Sequence, residues 1–396
     1  MSVVIMIIVL LIILSIFGGA NYYIAKRLYQ MFNYFLPNIN TKLYIGIYLS
    51  IAVIIIFCFI HNIIPFPYAV KRILNWINAH WMGFIMYLLL IFIAVDLLLL
   101  LGSIVKIITR PMPLNIRFYA NLFAIIMTIG LTGYGLYNAN QIKHVSYEIN
   151  IKDTSLNNFN IVMISDSHLG AVNNFESNLE KIVKEINSLN PDIVCLTGDI
   201  FNDNFYAIRD PKSAVSKLKS INSRYGVYAV LGNHDGGKTI NLMINFLEES
   251  NIRLLKDEYV IIDDRLILIG RLDPRPIGGA GDLKRGYIDD ILNLIKSDNN
   301  TSYKELPIVV MEHSPSNINQ YDERISLILA GHTHRGQMFP GSLLTRAMFT
   351  VDYGHYQKDK NSPHVIVTSG ISTWGPPMRL GTQNEIVNVK IVTSVE

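Results

Sequence analysis

The sequence predicts four membrane-length helices followed by an α/β domain of two packed sheets flanked by helices. Three observations predict this. Four long apolar stretches crowd the first 138 residues, strand and helix patterns alternate from residue 160, and short strand-like runs dominate from residue 259.

Composition separates the two parts. The chain has 396 residues, enough for two or three domains, and half of them are hydrophobic, with a mean hydropathy of +0.30 that is high for a soluble protein. Residues 1–150 carry 9 of the 34 basic residues and 2 of the 31 acids, Asp96 and Glu148. The net charge of +3 therefore combines a basic apolar part with a mildly acidic remainder. Neither has the dense basic patch of a nucleic-acid binder, so no nucleic-acid partner is expected. Cys58 lies in an apolar span and Cys195 in an apolar strand. Both read as small buried hydrophobes rather than a disulfide pair.

The expected spans are residues 2–19, 43–64, 81–105 and 118–138. Each approaches the roughly 20 apolar residues that cross the hydrocarbon layer. The first lacks the basic leader of a signal peptide, and three more spans follow it. Loop 20–42 carries Lys26, Arg27 and Lys42; loop 65–80 carries Lys71 and Arg72; loop 106–117 carries Lys106, Arg110 and Arg117. Six charges against two place the first and third loops in the cytoplasm and both termini outside. A multi-pass protein of the cell membrane with an extracytoplasmic soluble domain follows. Asp96 is the one acid within a span. It reads as an interhelical hydrogen-bonding or neutral carboxyl, with a proton or ligand site as the alternative. His61 and His80 fall near span ends, where interfacial positions are expected.

Residues 1–139 thus form the membrane domain, 140–157 a polar connector rich in Asn and Lys, and 158–396 the soluble domain. In the latter, 160–165 is a buried-strand run, followed by Leu179, Ile182, Val183, Ile186 and Leu189 at helical spacing. A strand at 192–197, a helix around 214–221, a strand at 225–231 and a helix around 242–247 come next. Strands at 259–263, 265–270, 307–312, 326–330, 364–369 and 385–393 complete the domain, interrupted by a helix near 288–296. Strands with crossover helices, then mostly strands, suggest two sheets between helices.

The chemistry sits just past the strands. Asp166-Ser167-His168, Gly198-Asp199, Gly232-Asn233-His234-Asp235, His313 and Gly331-His332-Thr333-His334 occur in that order, each after an apolar run. Carboxylate, amide and imidazole groups delivered from successive strand ends can converge on one sheet edge and hold metal. That donor mixture suits manganese, iron or zinc better than calcium. Each fragment alone is weak, since a lone His is more often structural and Gly-Asp is a common turn signal; the ordered set is what carries the reading. Gly278-Gly279-Ala280-Gly281 lacks the Gly-Lys-Ser/Thr ending of a phosphate loop and reads as a mobile loop near the site.

Together the five fragments resemble the calcineurin-like metallophosphoesterase superfamily over about residues 158–393. The resemblance implies a four-layer α/β/β/α sandwich with a binuclear centre of two divalent ions, Mn, Zn or Fe. It places Asp166, His168, Asp199 and His334 on one ion and Asp199, Asn233, His313 and His332 on the other, with Asp199 bridging. It implies a metal-activated hydroxide as nucleophile and His234 as proton donor to the leaving oxygen, oriented by Asp235.

A narrower resemblance rests on the run Gly331 to Gln337 and on Gly375-Pro-Pro-Met-Arg379-Leu-Gly381. These are similar to the membrane-anchored or exported bacterial branch, which includes phosphodiesterases and enzymes acting on UDP-2,3-diacylglucosamine. Arg335 stands where that branch usually has Gly, Ser167 where Leu is commoner, and Thr382-Gln-Asn-Glu385-Ile386 where Pro-Pro-Glu-Ile often follows, so the substrate does not transfer. Arg379, and more weakly Arg335, are expected phosphate clamps or else solvated arginines. The expected activity is hydrolysis of a phosphodiester or pyrophosphate on a lipid-linked or cell-envelope substrate, with the bilayer as partner. Protein phosphatase activity is a further possibility within the superfamily. The alternative of another class is a membrane receptor or transporter-like protein with a non-catalytic phosphate-binding head; retention of His234 beside all seven ligands disfavours it.

Overall fold

The structure, a computed structural model, describes residues 3–60, 66–151, 156, 158–297 and 306–392. It divides into two compact units, Met1–Gly135 and Leu136–Glu396.

The first unit contains α1 (Val3–Phe35), α2 (Thr41–Ile60), α3 (Tyr68–Ile104) and the body of α4 (Leu114–Asn138). All four are long and apolar enough to cross a membrane. The expected spans fall on these helices, except that Val105 caps α3 and residues 2 and 61–64, His61 included, lie outside the described residues. Two helices overrun their expected spans. Lys26 and Arg27 lie on α1, and Lys71 and Arg72 on α3, rather than in loops; Lys42 and Arg117 fall near the starts of α2 and α4. No Gly or Pro interrupts residues 20–35 or 68–80; Pro37 follows the end of α1 and Pro67 caps the start of α3. At about 1.5 Å per residue, the 37 residues of α3 far exceed the roughly 30 Å of hydrocarbon.

Asp96 has a charged partner that the span-by-span reading missed. Arg27 Nη2 lies 3.0 Å from its carboxylate, and the Tyr23 hydroxyl donates to it at 2.5 Å. The Arg27 guanidinium also stacks 5.6 Å over Phe92. Arg27 is 6% exposed and paired within the helices; without it, the charges flanking the expected spans number five against two. The sign of the bias survives.

The second unit begins with β1 (Ile142–Asn150), β2 (Phe159–Ile164), α5 (Phe175–Ser188), β3 (Ile193–Thr197), α6 (Pro211–Leu218), β4 (Val227–Val230), α7 (Ile240–Glu249) and β5 (Ile252–Leu254). It continues with β6 (Glu258–Ile262), β7 (Leu266–Gly270), α8 (Ile288–Ser297), β8 (Ile308–Met311), β9 (Leu327–Ala330), α9 (Gly341–Met348), β10 (Gly354–Tyr356), β11 (His364–Val367) and β12 (Asn384–Val392). Two six-stranded sheets result, in the orders β1-β12-β2-β3-β4-β5 and β10-β11-β9-β8-β7-β6. Strands β2 to β5 run parallel in the first, and β7, β8, β9 and β11 run parallel in the second.

Alternation along each strand builds the layers. Ile161, Met163, Cys195 and Val230 from the first sheet pack with Leu268, Val309, Met311 and Leu329 from the second. Their neighbours Val162, Ile164, Val194 and Leu196 face α5 and α7 instead, and Ile267, Ile269, Val310 and Ile328 face α8. Both faces of the central strands are therefore dry, which is why those strands read as unbroken apolar runs. The four-layer α/β/β/α architecture follows.

The polar connector at 140–157 is corrected. Residues 142–150 form β1, paired in parallel with β12 from Ile142 opposite Asn384 to Asn150 opposite Val392. Val145, Tyr147 and Ile149 alternate with Ser146, Glu148 and Asn150, the pattern of an edge strand with one wet face. The density of Asn and Lys masked that signal. The short β5, β10 and α9 were likewise not anticipated, being three to eight residues long.

Candidate metal centre

Every expected ligand follows a parallel strand. Asp166 and His168 follow β2, Asp199 follows β3, Asn233 follows β4, His313 follows β8, and His332 and His334 follow β9. The carboxyl ends of strands from both sheets thus meet at one edge, where ligands of open parallel sheets ordinarily bind.

The backbone must bend sharply to turn these side chains inward. Asp166 (φ 57°), His168 (46°), Asp199 (49°), His332 (72°) and His334 (48°) all occupy the left-handed region. That conformation costs a residue bearing a Cβ on the order of 1 kcal/mol, and such strain gathers at functional sites. Two motif glycines make the close approach possible. A Cβ on Gly232 would fall 2.2 Å from Asp199 Oδ1, and one on Gly331 would fall 2.0 Å from Ser165 Oγ and 2.6 Å from Asp166 Oδ2.

Two groups of donor atoms result. Asp166, His168 and His334 bring ligand atoms within 4.8 Å of one another, as do Asp199, His313 and His332. His168 Nε2 and His334 Nε2 are 3.2 Å apart, and Asp166 Oδ1 is 3.5 Å from His334 Nε2. His313 Nε2 is 3.2 Å from His332 Nδ1 and 3.1 Å from Asn233 Oδ1. Asp199 stands between the groups: its Oδ2 lies 3.9 Å from His168 Nε2 and 3.2 Å from His313 Nε2. Its other oxygen accepts the backbone N–H of His234 at 2.8 Å. All seven expected ligands come together here.

The electrostatics fit a cation. Burial holds the His168 and His332 imidazoles down to about 4, and it pushes His334 well below the ordinary value, assisted by the Arg379 charge. Burial thus favours the neutral form of these rings, as metal ligation requires. His313 is the exception: burial would lower it, but the Asp199 and Asp166 charges outweigh that and raise it well above the ordinary value. Its Nδ1–H donates to the Thr197 carbonyl at 2.8 Å, so the nitrogen facing the carboxylates is Nε2. A backbone carbonyl on the far nitrogen is the usual orienting partner of a metal-bound histidine. Nitrogen lone pairs and carboxylate oxygens converging within a buried volume repel one another unless a cation sits among them. The residues present therefore suit divalent ions.

His234 lies at the rim, 8% exposed. Its Nδ1 is 2.8 Å from Asp203 Oδ1. Burial tends to lower its pKa, yet the Asp203 bond and the Asp199 charge raise it overall. Asp203, not the expected Asp235, is thus the carboxylate that orients His234. The Asp235 side chain is spent on the backbone: it accepts N–H groups from Ile200, Phe201 and Gly232 at 3.1, 2.7 and 2.8 Å. It fixes the loops carrying Asp199 and Asn233. The signal for Asp203 was its place four residues after Asp199, on the same loop.

The expected Arg379 clamp is also corrected. Arg379 is fully buried, and its guanidinium is held by the carbonyls of His334, Ser369 and Ser372 and by Asn384 Oδ1. Its donors serve to tie the His334 loop to the segment between β11 and β12. A guanidinium so engaged has no fork to offer a phosphate. Arg335 is half-buried, with its guanidinium 4.2 Å over the Tyr353 ring. The glycine cluster does lie beside the site: Ile277 N–H donates to the Asn233 carbonyl, and Gly237 N–H to the Gly279 carbonyl, both at 2.7 Å.

A family model described as calcineurin-like phosphoesterase matches residues 159–336. A Campylobacter jejuni protein described as an uncharacterized metallophosphoesterase is 31% identical over 392 residues, covering 95% of this chain and 96% of that one. A Danio rerio protein described as a transmembrane protein with a metallophosphoesterase domain is 32% identical over 292 residues, or 69% of this chain and 62% of its own length. Among solved structures, a dimetal phosphatase from Danio rerio aligns with a TM-score of 0.36 at 13% identity, over 55% of this chain and 90% of that one.

Gly232→Ala is expected to displace Asp199, because the added Cβ would meet Oδ1 at 2.2 Å. Elemental analysis of the purified variant should find divalent metal reduced about tenfold, within the range for disturbed ligand support; metal content equal to the parent chain would show that this close approach is dispensable.

Proposed function

The chain belongs to the calcineurin-like metallophosphoesterase family, metal-dependent hydrolases of phosphoric esters, and from that premise we propose that it is a multi-pass membrane enzyme cleaving a phosphodiester or pyrophosphate of a lipid-linked or cell-envelope substrate. The observation that carries the reading is Asp199 Oδ2, within 3.9 Å of one group of ligands and 3.2 Å of the other.

In this reading Asp166, His168, Asp199 and His334 would hold one divalent ion, and Asp199, Asn233, His313 and His332 would hold the second. When bound, such ions lower the pKa of water and offset charge developing on phosphate oxygens. The chain supplies the rest. Asn233 adds a neutral oxygen donor, which limits the negative charge at the site. His234, with Nδ1 engaged by Asp203, has Nε2 left to protonate the leaving oxygen. Its raised pKa favours the protonated form that a general acid needs. The four apolar helices support a membrane tether, which concentrates amphiphilic substrates over soluble nucleotides. The remaining charges flanking the expected spans, five against two, favour an extracytoplasmic catalytic unit.

Purified protein should hydrolyse bis-p-nitrophenyl phosphate in preference to p-nitrophenyl phosphate, with manganese, zinc and magnesium compared; activity toward neither ester under any metal would overturn the reading. His234→Ala should retain metal and lower turnover by about a hundredfold or more, with a smaller loss for good leaving groups. The pH sign follows from the same residues. Activity falls as pH rises through the His234 pKa, which the Asp203 bond and the Asp199 charge raise. Asp203→Asn lowers that pKa, so the alkaline limb should move to lower pH; an unmoved limb would remove His234 from the acid role.

The orientation has its own test. A green fluorescent protein fused to the C-terminus should be dark if exported, and protease should reach the catalytic unit once any outer membrane is stripped. Bright fluorescence would reverse the topology and shift the favoured substrate to cytoplasmic lipid precursors.

A further inference from the structure

Helix α9 is built inside out. None of its residues is buried. The Thr345 hydroxyl turns to Asp352 Oδ2 at 2.9 Å, while Leu343, Leu344 and Met348 are 56%, 63% and 66% exposed. Phe339, just before the helix, is 56% exposed. Apolar area left in water forgoes about 25 cal/mol per Å², and contiguous apolar surface marks a contact site.

The patch adjoins the metal centre. The Gly336 and Gly341 backbones approach so closely that a Cβ on Gly336 would fall 2.2 Å from the Gly341 carbonyl carbon. This seats the start of α9 against the loop that carries His332 and His334. The Phe349 ring, one residue past the helix, is 6.0 Å from the His332 ring. Trp374, 49% exposed, lies 5.6 Å from the His234 ring.

A second set of contacts points to the occupant. Asn138 is the last residue of α4, and α4 is the last of the four apolar helices. Its carboxamide donates to the carbonyls of Arg379 and Thr382 at 3.0 and 2.9 Å. Between those two residues, Leu380 accepts the Phe339 N–H at 2.9 Å and donates to the Gln337 carbonyl at 3.2 Å. Segment 379–382 thus links the end of the last apolar helix to the root of α9. A membrane-length helix ends where hydrocarbon gives way to headgroups, and the patch is tied to that end. Helix α9 also carries Arg346 in its last turn and no acid, which suits a helix lying among anionic headgroups.

We propose that α9, together with Phe339, lies in the lipid–water interface and holds the mouth of the metal centre against the bilayer surface. The occupant of the patch is lipid, and an amphiphilic phosphoester reaches the site without leaving the membrane. This rests on the membrane reading above.

The test uses the full chain in nanodiscs of phosphatidylcholine and phosphatidylglycerol, with an environment-sensitive fluorophore on one introduced cysteine at a time and brominated phosphatidylcholine as quencher. It reads position, not turnover, so it is independent of the phosphoesterase reading. Leu98→Cys, on α3 and 66% exposed, should be quenched by deeply brominated lipid and reports on the membrane reading itself. Leu344→Cys should be quenched about twofold by shallow bromines, as for a helix at the acyl boundary. Leu294→Cys, on α8 and 61% exposed, should be unaffected. Quenching at Leu98 without quenching at Leu344 overturns the docking alone; absence at both overturns the membrane reading and the docking with it. Equal quenching at Leu344 and Leu294 also overturns it. So does efficient cross-linking of Leu344→Cys between two copies in the same disc without lipid quenching, since the occupant would then be a second chain.

Discussion

The structure turns on one electrostatic constraint: two buried carboxylates and four histidines are forced together at the carboxyl ends of parallel strands. Without a cation this arrangement is unfavourable, since burial pushes Asp166 up to about 6. For Asp199, burial also tends to raise the pKa, but the surrounding histidines outweigh it and hold the group well below the ordinary value. The fold supplies the means to enforce the convergence. The central strands of both sheets are dry on both faces, and each ligand sits two to four residues beyond the end of its strand. Left-handed turns at five of the ligands and the side-chain-free approach at Gly232 and Gly331 complete the geometry. The buried Asp235 and Arg379 then bind backbone groups of the ligand loops. These two charged residues act on the site by holding its walls.

Much of this was legible in the sequence because the signals were local. A strand buried on both faces is a short apolar run, and a ligand just beyond it is recognisable by its type and order. The buried runs ending at Ser165, Thr197, Leu231 and Ala330 are examples. What escaped was long-range or ambiguous. The pairing of Arg27 with Asp96 joins residues on two helices that the sequence does not align. The choice between Asp203 and Asp235 as partner of His234 depends on loop geometry, and proximity in sequence favoured the wrong one. Arg379 looked like a clamp because its neighbours are Pro and Gly; only its burial reveals that its donors are engaged. The edge strand β1 was hidden because its outer face is as polar as a linker.

The two readings of function rest on different physics. Hydrolysis of a phosphoric ester depends on the buried donor atoms. The proposed access of a lipid-borne substrate would depend on the outward face of α9. The linking segment is short: Arg379 anchors the His334 loop, and its carbonyl receives the Asn138 carboxamide. The residues that shape the metal site are thus bonded to those that end the last apolar helix.

The central claim is that Asp199 joins two ion sites into one centre. The most direct measurement is a manganese titration of the chelator-stripped chain, with bound metal and hydrolysis of bis-p-nitrophenyl phosphate read on the same samples. The account predicts saturation at two ions per chain, with activity appearing as the second site fills. Full activity at one ion per chain, or activity indifferent to metal, would contradict it.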